Sequence, residues 1–225
     1  MKLVKKFEIQ NRQNISNFLN NQPVGRISTI DANNFPQIIP MNFVYTPNPV
    51  TLPAEDKQSH DVIYMHSHPF GEKIENIKRN SKSGFEVDKY ICFLPSYYFH
   101  PIDASQADTL YISVVMKGNS YLVNDFEEKA FALNALMKKY QKEGKYKLLE
   151  SPMKSVQEVT VIKFIPFQIH GKYKIGQHWE RSYRLKMAEQ ILNRENLSYA
   201  KSILSIMGIR ILDNGTLEIV QDPNL

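Results

Sequence analysis

The sequence has a single cysteine and no long apolar run. Because the lone Cys92 cannot form a disulfide within the chain, cysteine usage is typical of a reducing cytoplasm. A membrane-spanning helix needs about 18 or more consecutive apolar residues, and no segment approaches that length. The N-terminal segment carries lysines but lacks the apolar core and the small-residue cleavage site of a signal peptide. We therefore expect a cytoplasmic protein with no membrane partner.

The chain also lacks a strong excess of one charge. Its 28 Lys and Arg residues against 23 Asp and Glu residues give a formal net charge of +5. The basic clusters are interleaved with acidic residues and lack the aromatic spacing of a nucleic-acid-binding groove. We expect no nucleic-acid partner, whereas a small anionic ligand suits a modest positive charge.

Apolar patterning predicts a mainly β member of the α+β class. The strongest buried-strand pattern is Leu110–Met116, and Val24–Ile30 and Phe35–Tyr45 form a predicted hairpin. Pro36 and Pro40 imply an edge position or a bulge for the second strand of that hairpin, since proline cannot donate to a central ladder. Neighbouring strands without a helix between them favour an antiparallel barrel with peripheral helices over a doubly wound parallel sheet.

One helix is well defined by the sequence. Asp125, with Glu128 three residues later, forms a capping-box pattern that predicts the helix start. The apolar stripe predicted for this helix is Phe126, Ala130, Leu133, Met137 and Tyr140.

The C-terminal part has a different pattern. Helices are predicted near Arg181–Asn193 and Ser198–Met207, and Asp213–Gly215 has the turn chemistry of a β-hairpin. We therefore predict two domains: a barrel over residues 1–179 and, over residues 180–225, a helical extension with a terminal hairpin.

Residues 61–77 carry the clearest functional pattern. An apolar run ends near Ser67, the chain breaks at Pro69 and Gly71, and a helical pattern follows. The free amide groups and the dipole of a helix N-terminus favour an anion, and Lys73 adds a full positive charge there. The segment is a candidate phosphate cradle, although it lacks the glycine spacing of a P-loop. An ordinary strand followed by a helix is the alternative interpretation.

The polar residues around this turn allow other chemistry. His66 and His68 share one face of a strand and are two potential metal ligands, but no third ligand is spaced nearby, so we expect no metal site. Ser67 lacks the sequence context of an activated nucleophile, and we interpret it as a hydroxyl donor to phosphate. Gln177 and Trp179 offer a hydrogen bond and a stacking surface to a planar ligand, or serve to pack the C-terminal helix.

Four segments in order resemble the flavin-binding split barrels related to pyridoxamine 5'-phosphate oxidase, and within them the nitroimidazole-resistance branch. The resemblance covers roughly residues 5–180. The matching segments are Val24–Ser28; Ile39–Phe43, with a Pro-x-Asn-Phe signature; Tyr64–Ser67 with Gly71–Lys73 and Ile77; and Tyr111–Gly118 followed by Asp125–Lys129 and Leu136–Tyr140.

The resemblance implies an antiparallel split β-barrel that forms a homodimer with FMN at the subunit interface. It implies that Ser67 and Lys73 contact the phosphate and that His66 lies near the flavin ring, where it is the candidate catalytic residue. Gln177 belongs to a segment similar to one that reaches the flavin in another branch, although Gly176 replaces a serine of that pattern. The residues implied at the cofactor are Ile39, Pro40, Met41, Asn42, Tyr64, Met65, His66, Ser67, Lys73, Ser113, Val114 and Gln177.

The implied activity is that of an FMN-dependent oxidoreductase, nitroreductase-like or pyridoxamine 5'-phosphate oxidase-like, acting on a small planar acceptor such as a nitroaromatic. Glu72-Lys73 stands where the oxidase members usually have an Arg-Lys pair, which argues against vitamin B6 oxidation. The alternative is a flavin- or haem-binding module without turnover, working in storage, sensing or transcriptional regulation.

Overall fold

The computed structural model describes residues 4–47 and 61–223. Within these residues the chain forms an antiparallel seven-stranded sheet in the order β2-β1-β5-β6-β7-β4-β3, together with a separate β8–β9 hairpin. The strands are β1 Gly25–Ile30, β2 Pro36–Met41, β3 Val44–Thr46, β4 Val62–Ser67, β5 Lys82–Leu94, β6 Asp108–Leu122, β7 Thr160–Lys174, β8 Ile209–Ile211 and β9 Leu217–Ile219. The helices are α1 Arg12–Asn21, α2 Glu72–Arg79, α3 Phe126–Tyr140, α4 Lys154–Glu158, α5 Arg181–Arg194 and α6 Leu197–Ile206.

The sheet is bent so that its two edge strands approach each other. β2 and β3 lie at opposite ends of the strand order, yet only Asn42 and Phe43 connect them. Such a short link spans at most about 11 Å. In the part of the chain that the structure describes, no ladder joins β2 to β3, so the barrel is split at this point. The predicted antiparallel split barrel with peripheral helices is confirmed.

The prediction of one continuous strand over residues 35–45 is wrong, because side chains take over the backbone hydrogen bonds at the split. The Phe43 amide donates to Tyr140 Oη at 2.9 Å. Both Tyr140 Oη, at 2.7 Å, and Asn42 Nδ2, at 3.0 Å, donate to the Pro23 carbonyl. Of the two predicted explanations for the prolines, an edge position or a bulge, the structure shows the edge position, since β2 ends the sheet order.

The chain divides into two compact units. One contains residues 1–10, 88–113 and 171–225, and the other contains residues 11–87 and 114–170. The long strands β5, β6 and β7 each contribute residues to both. The sequence-based boundary at residue 179/180 stays a prediction.

In the second unit, α3 covers the face of β3, β4 and β7. Its N-cap is as predicted, since the Asp125 side chain accepts from the Glu128 amide at 2.7 Å. The predicted apolar stripe is wrong in part: Ala132 and Leu136 are buried, whereas Phe126 is 44% exposed. Lys129 is buried although lysine is normally exposed on a helix surface. It can turn inward because its Nζ donates to two backbone carbonyls.

In the first unit, α5 and α6 pack with the terminal hairpin and are tied to residues 88–98. The Tyr98 hydroxyl donates to the Gln190 carbonyl at 2.8 Å, and Arg194 donates to the Phe93 carbonyl at 3.0 Å. Tyr199 donates its hydroxyl hydrogen to the Ile91 carbonyl. The predicted helices and hairpin of this region are confirmed. Among the described residues, no helix is both long enough and apolar enough to cross a membrane.

Candidate functional site

The site begins where β4 turns into α2. β4 ends at Ser67, and α2 begins at Glu72 with Gly71 as its N-cap residue. Gly71 has φ 135°, a conformation that other residues rarely adopt, so glycine is required here by backbone geometry. No side chain caps this helix. Because the Ile74 amide already donates to the Gly71 carbonyl, the amides of Glu72 and Lys73 are the ones left for a ligand. Lys73 is half-buried within the same turn.

Ser67 carries an unsatisfied hydroxyl. The residue is 6% exposed, and its Oγ is buried with no hydrogen-bond partner among the described residues. A buried polar group without a partner costs about 1–3 kcal/mol, and native proteins keep few of them. An acceptor supplied by a ligand would remove that cost.

A polar network holds α2 against the β1–β2 hairpin. The buried Asn76 donates through Nδ2 to Thr29 Oγ1 at 3.2 Å and to Gln37 Oε1 at 3.1 Å. Gln37 in turn donates to the Glu72 carboxylate. Arg79 donates to the Ile30 carbonyl at 2.9 Å. The network ties α2 to β2. It thereby connects the segment that the resemblance places at the phosphate with the segment that it places at the ring.

His66 and His68 flank Ser67 and are both exposed. His68 Nδ1 accepts from the Phe70 amide at 3.3 Å, whereas His66 lies opposite Val161 in the β4–β7 ladder. Together with Ser67 they line an open depression of about 660 Å³. The other lining residues are Pro69, Ser155, Glu158 and Val159. Among the residues that the structure describes, no group of three or more His, Cys, Asp or Glu side chains could hold a metal ion.

β2 presents a free edge. Its residues pair with β1 on one side only, with Ile39 opposite Ile27 and Pro40 opposite Arg26. The backbone groups that face away from β1 have no partner strand in residues 4–47 and 61–223. Ile39 and Met41 are half-buried, while Asn42 is exposed. An edge of this kind can hydrogen-bond to the polar rim of a planar ligand.

The remaining predicted cofactor residues lie in different surroundings. Tyr64, Met65 and Val114 are fully buried in the core, with neither side chain nor backbone exposed. Ser113 is half-buried on β6 in the first unit. Gln177, in the same unit, accepts from the Ile175 amide and donates to the Lys6 and Tyr173 carbonyls. The cofactor roles of all these residues stay predictions.

Sequence reasoning missed a charged cluster beside β4. Glu128 Oε1 accepts from the Tyr64 hydroxyl at 2.6 Å and from Lys163 Nζ at 2.6 Å. The capping-box pattern instead predicts that the Glu128 carboxylate bonds to the backbone at the start of α3. Burial first, and then the hydrogen bond and charge of Glu128, raise the pKa of Tyr64 above its ordinary value. The alternating pattern of β4 and β7 gives no signal that these three side chains meet.

A second residue without a sequence signal is Lys139, in the last turn of α3. Its Nζ donates to the Leu19 carbonyl at 3.1 Å and lies 3.7 Å from the centroid of the Phe43 ring. Burial lowers the pKa of Lys139 to about 8. The side chain therefore packs directly on the link between β2 and β3.

This pKa predicts a particular pH dependence of stability. Between about pH 8 and the unfolded value near 10.5, the unfolded chain binds more protons at Lys139 than the folded chain. The free energy of unfolding of the wild type should therefore rise with pH in this range relative to the Lys139→Met variant, as measured by urea denaturation at pH 7 to 10. The exposed neighbour gives the control, since Lys138→Met should keep the wild-type slope. Parallel curves for wild type and Lys139→Met would contradict the assignment.

The architecture and the site together define a class of protein: an antiparallel split barrel with a helix N-terminus beside its split. The family model for pyridoxamine 5'-phosphate oxidase matches residues 11–172. The chain belongs to the pyridoxamine 5'-phosphate oxidase family. A search of curated proteins gave no match.

Solved structures share the fold at low sequence identity. A candidate 5-nitroimidazole antibiotic resistance protein of Bacteroides thetaiotaomicron is 24% identical, with a TM-score of 0.54 over 73% of this chain and 85% of that chain. The flavocytochrome Anf3 of Azotobacter vinelandii is 14% identical, with a TM-score of 0.58 over 77% and 72% of the two chains. An FAD- and haem-binding protein of Mycobacterium smegmatis is 11% identical, with a TM-score of 0.57 over 74% and 73%. At these identities the likeness shows the fold alone.

Proposed function

We propose that this protein binds FMN with its phosphate at the β4–α2 turn and acts as a flavin-dependent oxidoreductase. One observation carries the proposal: the buried, unpartnered hydroxyl of Ser67 lies just before a helix start that no side chain caps. Lys73 supplies a positive charge in the same turn. A hydroxyl, free amides and an ammonium group are the donors that a phosphate needs. Membership of the pyridoxamine 5'-phosphate oxidase family supports this choice of ligand.

Each residue has a defined role in the proposal. Lys73 and the first-turn amides of α2 bind the phosphate, and Ser67 donates its hydroxyl hydrogen to a phosphate oxygen. The backbone of Ile39–Asn42 hydrogen-bonds to the rim of the flavin ring, because β2 has a free edge. His66 lies exposed beside the site, where it contacts substrate or cofactor. Bound FMN supplies the electron transfer, and the protein supplies binding and orientation.

The same proposal includes a homodimer and a small planar substrate such as a nitroaromatic. Phe35, just before β2, is 68% exposed, and Ile38, within β2, is 63% exposed. Exposed apolar side chains beside a free strand edge favour association with a second copy of the chain. Light scattering on the purified protein should give twice the mass of one chain. A monomer that still retains flavin would refute the placement of the cofactor at a subunit interface.

The direct test is the visible spectrum of the purified protein. A flavin spectrum, with FMN rather than FAD released on denaturation, supports the proposal, and a colourless protein that cannot be reconstituted with FMN overturns it. Reduction by a nicotinamide nucleotide, followed by turnover on a nitro compound, would separate an enzyme from a protein that only binds flavin.

Ser67→Ala should produce two opposite effects. Removing an unsatisfied buried hydroxyl should stabilise the flavin-free protein, by up to about 1 kcal/mol. Loss of the proposed phosphate bond should weaken FMN binding about three- to tenfold. Thermal unfolding of the flavin-free protein and a fluorescence titration with FMN measure the two effects.

Ser120→Ala is the matched control for this experiment. Ser120 is 1% exposed, and its Oγ is likewise unpartnered within the described part of the chain. Its backbone amide donates to the Ser81 carbonyl, beyond the other end of α2. The control should therefore stabilise the protein without changing FMN affinity. If both variants bind FMN like the wild type, Ser67 has no phosphate contact.

A second candidate is a haem-binding module without turnover. The exposed imidazoles of His66 and His68 on an open depression favour it, since imidazole is a haem ligand. Two similar structures are a flavocytochrome and an FAD- and haem-binding protein. A Soret band in the purified protein that is lost in His66→Ala or His68→Ala would support this candidate, whereas a spectrum of flavin alone would exclude it.

A further inference from the structure

A second group of ligand-binding side chains lies in the first unit, around the ring of Phe7. The ammonium groups of Lys6, Lys172 and Lys174 lie 4.9, 5.8 and 5.6 Å from the centroid of this ring. The imidazole of His178 meets the ring edge-on at 5.0 Å. We call these five residues the lysine–aromatic cluster. The bridge between Glu8 and Lys172 brings the N-terminal segment to the end of β7 and so assembles the cluster.

The cluster carries more positive charge than the nearby carboxylates neutralise. Lys174 is paired with Asp108. Across the described ranges, no carboxylate lies within ion-pair distance of Lys6 or Lys172, although Lys172 also lies 5.1 Å from the Tyr111 ring centroid. The pKa of His178 is lowered, first by burial and then by the charges of Lys6 and Lys174. An unbalanced positive field of this kind favours an anionic ligand.

The cluster also offers aromatic surfaces. His178 is exposed and lies 5.8 Å from the ring of Trp179, which in turn meets Tyr183 edge-on at 5.7 Å. Because lowering its pKa favours the neutral form, the His178 imidazole can stack on a planar ring without adding charge. Adjacent ammonium groups and aromatic rings are the two elements that bind nucleotides, through their phosphates and their base.

We propose that the lysine–aromatic cluster binds the nucleoside diphosphate group of a nucleotide, with Lys6 and Lys172 on the phosphates and the rings of Phe7 and His178 against the base. ADP, FAD and the nicotinamide dinucleotides all carry this group. The inference goes beyond the proposed FMN site and does not depend on it, since none of the five cluster residues is among those assigned to FMN. Gln177, which the resemblance implies at the cofactor, donates to the Lys6 carbonyl, so the two sites have to be separated by experiment.

Trp179 gives a direct signal for the test, because it is the only tryptophan in the chain and lies next to His178. ADP should quench its fluorescence with saturation, whereas adenosine and inorganic phosphate should bind much more weakly. Lys172→Ala should weaken ADP binding about tenfold, the effect of losing one charge-assisted contact. Phe7→Leu should weaken ADP binding while leaving the weak response to inorganic phosphate unchanged. Absence of ADP binding at millimolar concentration would overturn the proposal.

Two further comparisons separate this site from the FMN site. Lys186→Ala removes an exposed lysine of α5 and should bind ADP like the wild type. If this control lost as much ADP affinity as Lys172→Ala, the effect of Lys172→Ala would reflect only nonspecific charge. Lys73→Ala, in the proposed phosphate site, should keep its ADP affinity even if it retains no flavin. Titrations with NADH and FAD identify which nucleotide binds most tightly. Displacement of ADP by FMN in the Lys73→Ala protein would overturn the inference, because the cluster would then be part of the flavin site.

Discussion

Lys73→Ala is expected to lower the affinity for FMN about ten- to hundredfold, which corresponds to about 1.5–3 kcal/mol for a charge-assisted hydrogen bond. Lys73 lies in the first turn of α2, where the helix dipole and the uncapped amides already favour an anion. Removing the ammonium group leaves those weaker contributions in place, so binding should be reduced rather than abolished. Equilibrium titration of the flavin-free protein with FMN, followed by flavin fluorescence, measures the change.

The matched control lies on the same helix. Lys78 is exposed in the last turn of α2, where its Nζ forms an ion pair with Glu75 at 3.0 Å. Lys78→Ala removes the same charge from the last turn, and FMN affinity should change less than about twofold because solvent and salt screen an exposed ammonium group. Raising the salt concentration should weaken FMN binding to the wild type more than to Lys73→Ala. Equal affinities in the two variants would remove Lys73 from the proposed phosphate site.

Local sequence patterns predicted the elements of this site well. The apolar run before Ser67, the break at Gly71 and the helical spacing that follows were all visible in the sequence, and the structure places β4 and α2 accordingly. The edge position of β2 could also be predicted, because the effect of proline on a ladder is local. These predictions succeeded because each depends only on residues that are close together in the sequence.

Features that depend on distant parts of the chain could not be predicted. The strand over residues 35–45 is interrupted because Tyr140, about a hundred residues away, takes over hydrogen bonds of Phe43. Lys139 packs on Phe43 and donates to the Leu19 carbonyl, contacts between residues far apart in the sequence. The unsatisfied state of Ser67 Oγ is likewise a property of the packed structure. Neither the spacing of apolar residues nor the residue type predicts such contacts.

Glu128→Ala is expected to lower the free energy of unfolding by up to about 3–5 kcal/mol, the cost of removing one partner of a fully buried ion pair, because this pair is largely but not fully buried. The Glu128 side chain is 17% exposed and that of Lys163 is 13% exposed, while Tyr64 is fully buried. The variant would leave an ammonium group and a hydroxyl without their acceptor in the core between α3 and the sheet. Urea denaturation measures the loss, and Glu127→Ala, at the exposed neighbouring position, should cost less than about 1 kcal/mol.

A double variant separates loss of the pair from loss of packing. If the main cost is the unpaired charge of Lys163, then Glu128→Ala combined with Lys163→Met should be more stable than Glu128→Ala alone, because no buried ammonium group remains. Glu128→Gln should fall between wild type and Glu128→Ala, since its amide oxygen still accepts from Tyr64 but carries no charge. If Lys163→Met does not rescue Glu128→Ala, the contribution of Glu128 comes from packing and its bond to Tyr64 rather than from the ion pair. Because Tyr64 lies on β4, three residues before Ser67, this cluster also stabilises the strand that leads into the proposed phosphate site.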